Sequence, residues 1–195
     1  MVVQTPTQQY SIEEYLALEE TAEYRSEYRN GEIIPMTGGS INHNQIIINL
    51  VVALSLALRE QDYRVYTSDL RLWIPHYQQY TYPDILIIKN QPRFQEGRTD
   101  TVVNPSIIFE VLSNSTSSRD RGDKFTYYRS LPELQEYILI DQYTIHIEQF
   151  SKTPEGNWLL RESNAQNGIL TLASANCQIP HSQIYQRIDF CSNSD

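Results

Sequence analysis

The sequence predicts a single α/β domain, and three observations carry that expectation. Two stretches start with helix-capping residues and continue with helical apolar spacing: one opens at Ser11-Ile12-Glu13-Glu14, the other follows Ser40. Between and after them lie short runs rich in Ile, Val, Leu, Tyr and Phe, of strand length and bounded by turn residues. Within the 195 residues nothing reads as a repeat, a low-complexity tract or a linker, so helices and strands share one core.

In chain order, residues 1–9 read as a loose tail. The capping box at Ser11 and Glu14 satisfies orphan N–H groups reciprocally and starts a helix over about 11–20. Residues 24–29, the pair Asn30-Gly31 and residues 32–34 read as a β-hairpin, because Asn-Gly tolerates the two positive φ values of a type I′ turn. Ser40 caps a long helix to about residue 59, with Ile46, Ile47, Leu50, Val51, Leu54 and Leu58 on one broad face. Strand-like runs follow at 64–74, 82–88 and 106–112, and residues 89–105 form the longest loop between them, a candidate mobile segment. Residues 119–130 read as a helix stopped at Leu131-Pro132. Runs at 137–140, 144–150, 158–161 and 169–172, with a turn at Pro154-Glu155-Gly156-Asn157, make the second half β-rich.

Hydrophobic residues are 40% of the chain and charged residues 20%, an ordinary globular balance. The formal net charge of −9 argues against tight, non-specific gripping of long nucleic acid, which needs basic surface, but leaves room for a local basic cleft. Cys177 and Cys191 lack metal-type spacing. Two free thiols in a reducing cytoplasm are favoured over one disulfide. The N-terminus lacks a signal-peptide pattern, and the apolar run 46–58, interrupted by Asn49 and Ser55, reads as too short and too polar for a membrane span.

The chemistry concentrates in two runs, Tyr82-Pro83-Asp84-Ile85-Leu86-Ile87-Ile88 and Ile107-Ile108-Phe109-Glu110-Val111-Leu112-Ser113. Each embeds a carboxylate in apolar β-formers, where an unpaired charge is costly. If the strands are neighbours, Asp84 and Glu110 project from one sheet edge. With waters and a main-chain carbonyl they suit Mg²⁺ or Mn²⁺, and a nearby lysine completes a site able to activate water. The alternative for each acid taken alone is a solvent-facing strand-end charge.

Tyr82-Pro83-Asp84, Phe109-Glu110-Val111-Leu112-Ser113 and Arg119-Asp120-Arg121-Gly122-Asp123-Lys124 with Tyr127-Tyr128 resemble the Uma2 (DUF820) family of the PD-(D/E)XK nuclease superfamily. Glu27, Gly31-Glu32, Asn42-His43-Asn44 and Glu136-Tyr137-Ile138-Leu139-Ile140-Asp141 extend the match in the same order. The resemblance implies a restriction-endonuclease-like core, a mixed β-sheet flanked by helices behind the N-terminal helix and hairpin, with a magnesium-type site at its edge. It also implies a homodimer and a nucleic-acid substrate, DNA before RNA. Carried over, Asp84 and Glu110 become the metal ligands. The superfamily's lysine would stand two residues after Glu110, but Leu112 occupies that position. The family places the lysine in the following helix, where Lys124 matches. The alternative for Lys124 is a surface i,i+4 pair with Asp120, worth about 0.3–0.5 kcal/mol.

Glu27 and Glu32 fall on opposite strands of the hairpin. Either could supply a further acid, and Glu32 is the favoured one. His43 either contacts phosphate or water or caps its helix locally. The hydroxyl run 113–118 could hydrogen-bond phosphates, but reads foremost as a flexible connector that caps the next helix. Arg119 and Arg121 are candidate phosphate contacts, while Tyr127 and Tyr128 read as packing. Three functions stay open: a Mg²⁺-dependent endonuclease, a catalytically inactive dimeric interaction or regulatory protein of the same fold, and a hydrolase of smaller phosphoesters.

Overall fold

The computed structural model describes residues 8–190, so most of the expected N-terminal tail and Cys191 lie outside the described residues. The elements are α1 (Ile12–Thr21), β1 (Ser26–Arg29), β2 (Glu32–Pro35), α2 (Ile41–Leu58), β3 (Tyr63–Thr67), β4 (Arg71–Ile74), β5 (Gln79–Thr81), β6 (Ile85–Lys89), β7 (Thr101–Val102) and β8 (Ile107–Leu112). There follow α3 (Ser117–Arg119), a π-helical turn (Asp120–Lys124), α4 (Phe125–Tyr128), β9 (Glu136–Asp141), β10 (Ile147–Lys152), β11 (Trp158–Ser163), β12 (Ile169–Leu172), β13 (Cys177–Pro180) and α5 (His181–Ile184).

Both expected helix starts are built as the sequence implies. Ser11 Oγ accepts from Glu14 N–H at 3.1 Å while Glu14 returns a contact to Ser11 N–H at 2.7 Å. Ser40 Oγ accepts from His43 N–H at 3.1 Å, which sets the first turn of α2. The hairpin closes through Asn30 and Gly31, at φ of 47° and 91°.

The central sheet has six strands in the order β11-β10-β9-β8-β6-β3, all antiparallel except β8 with β9. A parallel pair needs a crossover, and residues 113–135 provide it with their helical segment. Side chains alternate between two covered faces. Ile85, Ile87, Ile107, Phe109, Val111, Ile138 and Ile140 meet Ile46, Leu50, Leu54 and Leu58 of α2. Leu86, Ile88, Ile108, Leu112, Tyr137 and Leu139 meet Tyr128, Leu131 and Leu134 on the other side. Because both faces are buried, these strands read as continuous apolar runs rather than alternating ones. A second sheet, β2-β1-β5-β4-β7, carries the hairpin, and α1 packs on it through Tyr15, Tyr28 and Tyr80.

Four expectations need correction. The run 64–74 is two strands in two different sheets, because a turn with Leu70 N–H donating to Thr67 O at 3.0 Å redirects the chain. The long loop 89–105 is tethered: β7 joins β4, and the Asn104 side chain accepts from Arg93 N–H at 2.7 Å. The expected helix 119–130 runs from Ser117 to Tyr128 and contains a π turn around Gly122, a poor helix former. The apolar run at 46–58 extends back to Ile41, so α2 reaches 18 residues with a mean hydropathy of 1.5, enough by length and composition to cross a membrane. Its buried row Ile46, Leu50, Leu54 and Leu58, each worth about 1.5–3 kcal/mol of burial, places it instead as the core helix of the sheet.

Candidate active site at the edge of the central sheet

Strands β6 and β8 pair with Ile85 opposite Phe109 and Leu86 opposite Ile108. One step past that ladder, Asp84 faces Glu110. Opposed residues of an antiparallel pair have Cβ atoms about 4.5–5.5 Å apart. Pro83 lacks an N–H, which ends the pairing here and frees Asp84 from the ladder. Its Oδ2 accepts from Val111 N–H at 2.7 Å and lies 3.2 Å from His43 Nε2. His43 is held close by the chain ahead of its helix: a Cβ at Gly39 would stand 2.5 Å from His43 Nδ1, so a side chain there would displace the imidazole.

Glu110 shares its face with Ile108 and Leu112, toward the 117–128 segment. Its Oε1 accepts from Lys124 Nζ at 2.8 Å and from Tyr128 O–H at 2.7 Å. Lys124 Nζ also lies 3.2 Å from Asp120 Oδ1 and 3.8 Å from Glu27 Oε1. Glu27, on β1, accepts from Thr81 Oγ1 and is ion-paired with Arg119. Glu27, His43, Asp84, Glu110, Arg119 and Lys124 all line one cleft of about 550 Å³.

The electrostatics follow from burial and charge count. Burial pushes the Glu110 carboxyl up to about 8; Lys124 opposes the rise, while Asp120 and Asp84 add to it. Burial alone would lower Lys124, but Glu110, Glu27 and Asp120 outweigh it and hold the ammonium well above its ordinary value. Glu27 is lowered: burial resists, and Lys124, Arg119 and the Thr81 hydroxyl prevail. Four carboxylates (Glu27, Asp84, Glu110, Asp120) thus stand against two fixed cations (Lys124, Arg119), an excess of two negative charges when all are ionised.

This donor set fits a magnesium-type ion. Among the described residues, the partners of Asp84 sit on Oδ2 and those of Glu110 on Oε1, which leaves Oδ1 and Oε2 for the cleft both residues line. Among the described residues no three His, Cys, Asp or Glu side chains form a ready-made cation cage. Two carboxylates with water and substrate oxygens completing the shell is the manner in which Mg²⁺, rather than Zn²⁺, is held.

Of the candidate site residues, the structure brings Asp84, Glu110, Lys124 and His43 together and leaves Glu32 apart. Glu32 faces Arg29 at the tip of the hairpin, at 3.4 Å, two residues and roughly 7 Å from the level of Glu27. The acid that the hairpin delivers is therefore Glu27. Of the two candidate phosphate contacts, Arg119 lines the cleft, whereas Arg121 turns away to Glu148 at 2.7 Å. Tyr128 is both packing and site: it is fully buried, and its hydroxyl holds Glu110. The spacing signal for this was available, because residues 124 and 128 are one turn apart. Position 112, where the superfamily's lysine would stand, is held by Leu112, which packs into the core formed with Tyr128, Leu131 and Leu134. The hydroxyl loop connects β8 to α3 without a side-chain cap: the Ser113 carbonyl accepts from Thr116 and Ser117 N–H, and residues 113–116 line the cleft.

Residues 12–179 match the family described as "Uma2: Putative restriction endonuclease". An uncharacterized protein of Synechocystis sp., sll1609, is 42% identical over 86% of this chain and 94% of its own length. A second from the same organism, slr1290, is 35% identical over 95% of this chain and 96% of its own. A crystal structure from Anabaena variabilis, described as "a putative nuclease belonging to DUF820", superposes with a TM-score of 0.73 at 17% identity, covering 89% of this chain and 96% of that one, a likeness of fold.

Proposed function

The chain belongs to the Uma2 family, and from that premise we propose that it is a Mg²⁺- or Mn²⁺-dependent phosphodiester hydrolase acting on nucleic acid. The observation that carries the proposal is the convergence of Asp84, Glu110 and Lys124, distant along the chain, on one cleft. Asp84 and Glu110 would hold the cation through Oδ1 and Oε2. A cation bound there supplies charge that polarises the phosphate and acidifies a water. Lys124, locked in its charged form by three carboxylates, cannot take up a proton; it acts as a donor that steadies Glu110 and faces developing negative charge. Tyr128 and Lys124 fix the Glu110 side chain from one end, and His43 with Val111 N–H fixes Asp84. Glu27 keeps Arg119 in the cleft, where a guanidinium can meet a phosphate oxygen.

The proposal extends to assembly and location. Ile48, Val52 and Leu56 on the outer face of α2 are 57%, 54% and 63% exposed at i,i+4 spacing, a stripe suited to a homodimer contact. A buried free thiol at Cys177 is in keeping with a reducing cytoplasm. The net charge of −9 favours the second reading, a non-catalytic dimeric protein of this fold. Cleavage of labelled nucleic acid with Mg²⁺ or Mn²⁺ decides between them. The hydrolase reading expects cation-dependent cleavage that disappears in both Asp84→Ala and Glu110→Ala while both variants stay folded. Equal cleavage by either variant, or none by the wild type, would overturn it.

A further inference from the structure

The charges and walls of the cleft speak to the form of nucleic acid it accepts. Duplex binders neutralise roughly 6–10 phosphates with lysine and arginine. Here the basic side chains lining the cleft are His43, Arg119 and Lys124, and each already faces a carboxylate: Asp84, Glu27 and Glu110 in turn. Arg25, whose guanidinium lies 5.9 Å over the ring of cleft-lining Tyr82, adds one more cation nearby. That inventory suits one or two phosphates, not a duplex backbone. Beside Tyr82, Gln142 and Tyr143, two parts of the remaining lining bear on the ligand. Ile34, Pro35 and Met36 form an apolar stretch at the end of β2, and the loop 113–116 is a run of hydroxyl and amide groups. An apolar surface matches the face of a base, and neutral donors match a sugar and its phosphate. At about 550 Å³ the cleft has the size of a small-ligand site, not of a groove for a double helix.

Resting on the hydrolase reading above, we infer that this cleft takes one unstacked nucleotide of a single strand, its base against Ile34, Pro35 and Met36 and its phosphate toward Asp84 and Glu110. Affinity then comes mostly from the base and little from released counterions. The test is fluorescence anisotropy of the full-length protein with a short labelled DNA strand and with its duplex, Ca²⁺ standing in for Mg²⁺. The salt is varied between about 50 and 200 mM.

The expected result is binding of the single strand at least about tenfold tighter than the duplex, with a log–log salt slope of about −0.7 to −1.4. Met36→Asp should weaken the single strand by about tenfold. Thr37→Asp, at the exposed cleft-lining position next to Met36, repeats the test should Met36→Asp fail to fold. Duplex bound as tightly as the single strand, or a slope steeper than about −4, overturns the inference and leaves the hydrolase reading standing. So does binding of neither form. Selective single-strand binding with no cleavage of that strand in Mg²⁺ or Mn²⁺ supports the inference about the cleft and overturns the hydrolase reading instead.

Discussion

Glu110 and Glu136 are both buried carboxylates, on the adjacent parallel strands β8 and β9, and they are held in opposite ways. Glu136 is surrounded by neutral donors: Gln149 Nε2 at 2.5 Å on one oxygen, Ser174 N–H at 2.9 Å and Ser174 Oγ at 2.6 Å on the other. Both oxygens are engaged, and the carboxylate ties β9 to β10 and to the turn after β12. Glu110 has one oxygen engaged, by a lysine and a tyrosine, stands beside Asp84 and Asp120, and opens on a cleft. Burial alone therefore does not mark a site. An unfinished set of partners next to a second carboxylate does.

The contrast is broken or sharpened by substitution. Glu110→Ala or Asp84→Ala should reduce cleavage by about 10³-fold or more with the fold retained by circular dichroism. Glu136→Ala should do the reverse, leaving activity per folded molecule near the wild-type value and lowering stability by about 1–3 kcal/mol in urea unfolding. If Glu136→Ala instead removed activity at unchanged stability, the distinction between the two carboxylates would be lost.

The next effect is a pH dependence. In the folded, cation-free protein Glu110 titrates near 8, above its ordinary 4.5, so between those values the folded state keeps a proton that the unfolded chain releases. Stability from this group is therefore greatest at the acid end of that window and declines as pH rises toward 8. The melting temperature in EDTA should fall between pH 6 and 8, as about half of that window, and the fall should be shallower in Glu110→Gln. Equal slopes in both proteins would show that Glu110 is not the group responsible. The smallest contrast lies within the hairpin. Glu27→Gln should lower turnover by about tenfold, because Arg119 and Lys124 lose a partner, whereas Glu32→Gln should change stability by less than about 0.5 kcal/mol and leave turnover unaffected.

Much of this was legible in the residues. Capping chemistry announced α1 and α2, and Asn30-Gly31 announced the hairpin, because these signals are local. Asp84 and Glu110 stood out as charges inside apolar strands, and the family pattern singled out Lys124 beside them. What escaped was set by contacts between distant parts of the chain. The split of 64–74 between two sheets depends on where β5 and β6 lie, not on its own alternation. The choice of Glu27 over Glu32 depends on which rung of the hairpin meets Arg119 and Lys124. The joint hold of Lys124 and Tyr128 on one oxygen of Glu110 depends on how the 117–128 segment packs against β8.

The central claim is that Asp84 and Glu110 together hold one divalent cation. Calorimetric titration of Mn²⁺ into the wild type and into Asp84→Ala and Glu110→Ala tests it directly. The account predicts one ion per chain in the wild type and loss of binding in each variant. Undiminished binding in either variant, or no binding in the wild type, would contradict it.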